Sequence, residues 1–196
     1  VCRTFTEHQR IIFNGNGYSQ EWENEAARRG LSNMRSTADC LPSYVSEKNV
    51  SLVSKHGIFS EAEFKARYAI HMETYCKMVN IEARTSADMV MHQILPAAIA
   101  YCSSLCNTVN SKKQLGVSAK AEEALIARLS NATDALYANC ERLKQDLTQI
   151  PTDIEKACAY YGCTIVNDMA DVRKEADILE QLTDKKYWPY PTYSDL

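Results

Sequence analysis

From Ser60 to Ile150 the chain is punctuated only by Pro96 and Gly116, and around them apolar residues recur every three or four positions. That recurrence puts them on one face of a helix with 3.6 residues per turn. Ser60-Glu61-Ala62-Glu63 opens the stretch as a capping box, in which the hydroxyl and the Glu63 carboxylate satisfy each other's unpaired backbone N–H groups. Phe64, Tyr68, Met72, Tyr75 and Val79 follow as a single stripe, continued by Met89, Met91, Ile94, Leu95, Ile99, Cys102 and Leu105. Pro96 lacks an N–H and crowds the preceding turn, so a kink or a helix boundary is expected near Gln93 to Pro96. Gly116 and Ser118 mark a loop and a new cap. Leu125, Leu129, Ala132, Leu136, Cys140, Leu143 and Leu147 then make the clearest amphipathic run in the chain. Ile150-Pro151 stops it, and Thr152-Asp153-Ile154-Glu155 reads as a second capping box. Its helix carries Ile154, Cys158, Tyr161, Ile165, Val172, Ala176 and Leu179 inward, with Gly162 as an interruption costing about 1 kcal/mol relative to Ala.

Six Gly and five Pro in the whole chain leave too little turn material for an all-β or alternating α/β fold. The expected class is all-α: an antiparallel bundle of three to four long helices that bury their stripes against one another. No fixed repeat points to a solenoid. Residues 1–58 differ in character. Arg10-Ile11-Ile12-Phe13 reads as a short strand, Asn14-Gly15-Asn16-Gly17 as a loop whose glycines can take positive φ, and Ser19 as the cap of a helix over Gln20 to Arg29 closed by Gly30. Ser36 or Thr37 caps a further short helix to about Tyr44, and residues 46–58 are ambiguous. The division expected is 1–58 and 59–196. From Asp184 the pattern changes again: Pro189 and Pro191 exclude a helix over Tyr187 to Tyr193, and the aromatics there predict an extended tail packed along a groove.

At 196 residues, 45% apolar and 24% charged, the chain accommodates one domain with a small appendage, and not two full enzyme domains. A net charge of −3 and a pI near 5.9 give no electrostatic footprint for nucleic acid or an anionic membrane. The longest nearly apolar run, Ile94 to Cys102, is less than half of a bilayer span, so no transmembrane segment is expected. Of the eight Cys, Cys76, Cys102, Cys106, Cys140 and Cys158 lie within helical stretches, which favours buried thiols in a reducing compartment over a disulfide framework. Val1 is not an initiator Met, so the chain is expected to begin inside a longer protein or to have lost its start.

Motifs that carry chemistry are weak. Gly15-Asn16-Gly17-Tyr18-Ser19-Gln20 lacks the third glycine of a dinucleotide fingerprint, and a plain turn is favoured over an anion site at the following helix N-terminus. Cys102 and Cys106 share a helical face without a second ligand pair, and Cys158 and Cys163 point to different faces; all read as packing thiols rather than a zinc site. His71 and His92 do not sit in a Glu-x-x-His arrangement and read as solvated or singly bonded. Met72, Met78, Met89 and Met91 read as core fillers; Glu82, Arg84, Lys185 and Lys186 read as surface charge. No residue is assigned a catalytic, cofactor-binding or metal role.

Longer strings are more specific. Arg10 to Ser19 (RIIFNGNGYS), with Glu21-Trp22, Glu25-Ala26, Arg29-Gly30-Leu31, Thr37, Asp39 and Leu41, resembles the region just after the catalytic core of type III glutamine synthetases. The resemblance continues through Phe59-Ser60-Glu61, Arg67-Tyr68, Glu73, Tyr75, Ile81-Glu82-Ala83, Ile94-Leu95-Pro96-Ala97 and Tyr101. It reaches Asp168-Met169, Val172-Arg173, Ala176-Asp177, Leu179-Glu180, Trp188-Pro189 and Tyr193-Ser194-Asp195-Leu196. It implies a cytoplasmic, homo-oligomeric ligase that joins ammonia to glutamate using ATP with Mg or Mn, through a γ-glutamyl phosphate. The family's metal-binding glutamates and substrate arginines match no position here. The resemblance therefore implies a C-terminal piece: residues 1–58 would finish the catalytic domain, and residues 59–196 would form a helical C-terminal domain serving fold completion and subunit packing. Cofactors are expected outside this chain, and the chain alone is expected to be inactive. A free-standing helical interaction module is the alternative, and stoichiometric zinc would mark a thiol metal site.

Overall fold

The computed structural model describes residues 2–191. Its helices are α1 (Cys2–Glu7), α2 (Gln20–Arg28), α3 (Thr37–Tyr44), α4 (Glu47–Lys55), α5 (Glu61–Met89), α6 (Leu95–Gln114), α7 (Lys120–Asp146), α8 (Ile154–Tyr160) and α9 (Val166–Leu182). Two π-helical turns, Val90–Ile94 and Tyr161–Ile165, join α5 to α6 and α8 to α9 without a break. The result is three rods, joined by the short segments 115–119 and 147–153.

Side-chain contacts fix how the rods run. Lys112 pairs with Glu122 and Lys113 with Glu123 beside the first turn, Cys102 meets Ser130 in mid-rod, and Cys140 Sγ reaches the Ala87 carbonyl at 3.9 Å. Partner numbers that fall as the others rise mean that α7 is antiparallel to the α5–α6 rod. Between α7 and the third rod the same holds: Tyr160 bonds the Asp146 carbonyl and Arg142 bonds Asp168. The first and third rods run the same way, with Tyr68 on Glu155 and Cys76 beside Cys158. The molecule is all-α.

The core lies along the shared seam. Leu129, Leu136, Cys140 and Leu143 of α7 interlock with Val90, Ile165 and Leu179, all essentially without solvent contact. Burying a Leu or Ile side chain fully is worth about 1.5–3 kcal/mol relative to leaving it exposed. α3 and α4 pack on α5 at its N-terminal half, where the Tyr44 and Phe64 rings stack at 4.3 Å. The Ser60 box forms: the Glu63 carboxylate accepts from Ser60 N–H at 2.9 Å and the Ser60 hydroxyl accepts from Glu63 N–H at 3.3 Å.

Several expectations are corrected. Arg10 to Phe13 is not a strand. It is a 3-10 turn at Gln9–Ile11 followed by extended residues, because no second extended segment lies beside it among the described residues to complete a ladder. Gly15 and Gly17 do not take positive φ. At Gly15 an added Cβ would lie 2.5 Å from the tip of the Phe13 ring, which would have to swing aside. Ser118 is not a cap; α7 starts from Ala119 without a side-chain bond. At α8 the cap is Asp153, which accepts from Lys156 N–H at 3.0 Å, and not Thr152. Ile99 leaves the inner stripe and Ala98 replaces it, since the π turn inserts an extra residue and rotates everything beyond it. Met78 and Cys106 are exposed.

The continuous helix Glu61–Gln114 spans 54 residues, and its most apolar window has a mean hydropathy of 1.3 with 28% of it buried. By length and composition alone it would cross a bilayer; in this fold it lies against α7 and the third rod. Beyond α9, Tyr187 N–H bonds the Asp184 carbonyl at 2.8 Å, the Tyr187 ring lies 5.4 Å from that of Tyr101, and Trp188 and Tyr190 rest against the core. The remainder of the expected tail, 192–196, lies outside the described residues.

Candidate functional site

The N-terminal arm is built around Arg29. Its guanidinium donates to the carbonyls of Ile12 at 2.6 Å and Arg10 at 3.1 Å and to Glu25 Oε1 at 2.6 Å, tying the segment before the loop to α2. Arg28 and Arg29 together pull the Glu25 carboxyl down to about 2. Phe13 and Trp22 close the arm with centroids 4.9 Å apart. Within the loop, Asn16 Oδ1 accepts from Tyr18 N–H and the Ser19 hydroxyl donates to the Asn16 carbonyl at 2.7 Å. Ser19 also takes the Trp22 N–H. The loop therefore consumes its own polar groups and behaves as a turn. Tyr18 stands fully exposed at its tip, and among described residues 2–40 only Ala26 is buried.

The thiols are not drawn into a metal centre. Cys76 and Cys158 face each other between α5 and α8, and burial with the neighbouring Cys76 pushes the Cys158 thiol up to about 11. Burial likewise raises Cys76, Cys140 and Cys102. Such thiols hold their protons and are poor nucleophiles. All eight cysteines are free, and Cys163 is exposed whereas Cys158 is buried. Among the described residues no group of three or more His, Cys, Asp and Glu could hold a metal ion. His71 lies edge-on to Tyr44, and His92 is 3.5 Å from Asp88 on the same helix; both are exposed. Arg84, His92 and Lys144 rim an open cavity of about 540 Å³ floored by Ala87, Met91 and Leu147.

Sequence reasoning does not find the polar knot between α7 and α9. Asp168 is buried, its Oδ1 accepts from Arg142 Nε at 2.9 Å, and Arg142 also reaches Asp171 Oδ2 at 2.6 Å. An acidic residue at a helical position that could face either way leaves no periodic signal. None of these arrangements joins a nucleophile to a base.

Comparison with known proteins supplies what the local chemistry does not. Residues 1–113 match the model of the family described as glutamine synthetase C-terminal domain. The chain belongs to that family. Over 98% of its length it is 34% identical to a glutamine synthetase of Butyrivibrio fibrisolvens, and over 98% it is 32% identical to the type-3 glutamine synthetase of Dictyostelium discoideum. A glutamine synthetase of Bacteroides fragilis is 31% identical over 95% of the chain. The chain spans 28%, 27% and 27% of these three relatives, so it corresponds to the C-terminal part of such a protein. The family match runs through residue 58 without interruption, taking in the arm, α3, α4 and the first rod together.

Proposed function

We propose that this chain is the C-terminal part of a type III, ATP-dependent glutamate–ammonia ligase, and that it completes the fold and packs subunits rather than performing the chemistry. The observation that carries the reading is coverage: nearly the whole chain aligns with glutamine synthetases while accounting for little more than a quarter of their length. On this reading glutamate, ammonia, ATP and its divalent ion, Mg or Mn, are bound by the rest of a cytoplasmic homo-oligomer. Neither nucleic acid nor membrane is a partner.

Two features of the chain suit a packing role. The arm exposes Phe5, Ile11, Tyr18 and Met34, with Arg29 tying the carbonyls of Arg10 and Ile12 to α2 and little of the arm's own apolar surface covered. The outer face of α5 exposes Ile70 and Ile81 opposite its buried stripe, and Met78 is exposed on the flank towards α3. Exposed apolar side chains grouped on rigid elements are what subunit and domain contacts cover. The test is ATP-dependent glutamine formation. The full-length protein is expected to form glutamine from glutamate, ammonia and ATP, and the 196-residue chain alone is expected to form none. A full-length protein without this activity overturns the assignment, and turnover by the isolated chain overturns the division of labour.

A further inference from the structure

The loop before α2 holds two Asn–Gly steps, Asn14-Gly15 and Asn16-Gly17, and all four residues are exposed. In such a step the backbone nitrogen of the glycine can reach the side-chain carbonyl carbon of the asparagine, and without a Cβ the glycine offers no steric hindrance to that approach. The fold treats the two steps differently. Asn16 is locked into the turn: its Oδ1 accepts from Tyr18 N–H at 3.0 Å, and its backbone carbonyl accepts from Ser19 N–H at 3.1 Å and from the Ser19 hydroxyl at 2.7 Å. Ser19 is itself anchored as the cap of α2, where its hydroxyl accepts from Trp22 N–H at 3.4 Å. Asn14 lies outside the turn. Among the described residues neither Asn14 nor Gly15 makes a hydrogen bond, and Arg29, which grips the carbonyls of Arg10 and Ile12, stops short of them. The neighbour beside Gly15 is the Phe13 ring, seated against Trp22; it carries no polar group to hold the Asn14 amide.

We propose that Asn14 is a site of spontaneous deamidation, and that the turn spares Asn16. The Gly15 backbone nitrogen attacks Asn14 Cγ and gives up its proton; the bond from Cγ to the side-chain nitrogen breaks, and that nitrogen leaves as ammonia with the proton. The product is a five-membered succinimide. Water then adds to one of its two carbonyls: opening at Cγ yields aspartate in the ordinary backbone, and opening at the Asn14 backbone carbonyl carbon yields isoaspartate, in which the chain runs through the side chain. No oxidant or reductant takes part, and water is the sole co-reactant.

The same step at Asn16 has to break structure first. Gly17 nitrogen reaches Asn16 Cγ only after Oδ1 has left Tyr18 N–H and the peptide has turned out of the Ser19 bonds, so reaction there waits on local opening of a capped helix start. At Asn14 an exposed side chain changes rotamer within nanoseconds and has nothing to break. Conversion places a new carboxylate, and in isoaspartate an extra backbone methylene, between the Phe13–Trp22 contact and the cap of α2.

The test is incubation of the full-length protein in mildly alkaline buffer at physiological temperature, then trypsin digestion and mass spectrometry of peptide 11–28, with fragment ions assigning the change of amide to acid to position 14 or 16. In the native protein, conversion at Asn14 is expected to outrun conversion at Asn16 several-fold. In urea, where the turn is gone, the two positions are expected to convert at similar rates. Asn14→Gln, whose longer side chain does not close the five-membered ring, is expected to leave peptide 11–28 nearly unconverted in the native state. An Asn14 that keeps its amide in the native protein overturns the proposal, and so does an Asn16 that converts as fast. A preference for Asn14 that persists unchanged in urea overturns it too, since the fold would then not be the cause. The outcome does not depend on whether the protein is a ligase.

Discussion

At the residue scale, Gly162 shows how a local reading inverts once packing is known. Propensity treats it as a flaw that Ala would repair by about 1 kcal/mol. In the fold it sits in the π turn between α8 and α9, and a Cβ there would come within 2.6 Å of the Ala38 Cβ at the start of α3. Both atoms are held by helices, so neither yields at low cost. Gly162→Ala is therefore expected to destabilise the protein by about 1–3 kcal/mol, the usual cost of overpacking. Urea denaturation measures it, and adding Ala38→Gly is expected to restore most of the loss. A Gly162→Ala variant as stable as the wild type would mean that α3 is not seated on the π turn. The buried thiols are legible in the sequence because Cys140 and Cys158 fall on apolar stripes, whereas the exposure of Cys106 is not, since it depends on the rotation imposed earlier in the same rod.

At the scale of elements, the periodic stripes and the Ser60 box are legible because each is written within a few residues. The stripes of α7 and α9 are buried along nearly their whole length, and Pro96 does mark a departure from α-helical geometry. What sequence does not reveal is how the helix absorbs the proline: it widens into a π turn rather than ending, which lets Glu61–Gln114 run on as one rod. The Arg10 to Phe13 segment misleads because β-prone residues make a strand only beside another strand. The start of α8 offers a direct check, since its Thr and Asp compete for one cap. Asp153 takes the Lys156 N–H, so Asp153→Ala is expected to cost about 1 kcal/mol, and Thr152→Ala is expected to change little. Chemical denaturation of the two variants decides between them; an equal or larger loss at Thr152 would place the cap one residue earlier.

At the scale of the whole molecule, the helical class follows from sparse glycine and proline, whereas the family is carried by the likeness to glutamine synthetases and not by a metal-holding cluster, since no group of three or more His, Cys, Asp and Glu that could hold a metal ion forms among the described residues. What the chain presents instead is surface. Ile70 and Ile81 are 61% and 64% exposed, and a spacing of eleven residues is close to three full helical turns, so they stand in line on the outer face of α5. Neither belongs to the buried core. If the chain packs subunits, this line is among the surfaces that stabilise the assembly, and charging it should break contacts between chains without unfolding any of them. Ile70→Asp combined with Ile81→Asp in the full-length protein is expected to lower the native mass in solution, while far-ultraviolet circular dichroism keeps its helical signal. Light scattering after size exclusion reads the mass. A doubly substituted protein that retains the wild-type mass would remove the outer face of α5 from the packing surface and leave the arm, with Phe5, Ile11 and Tyr18, to carry it.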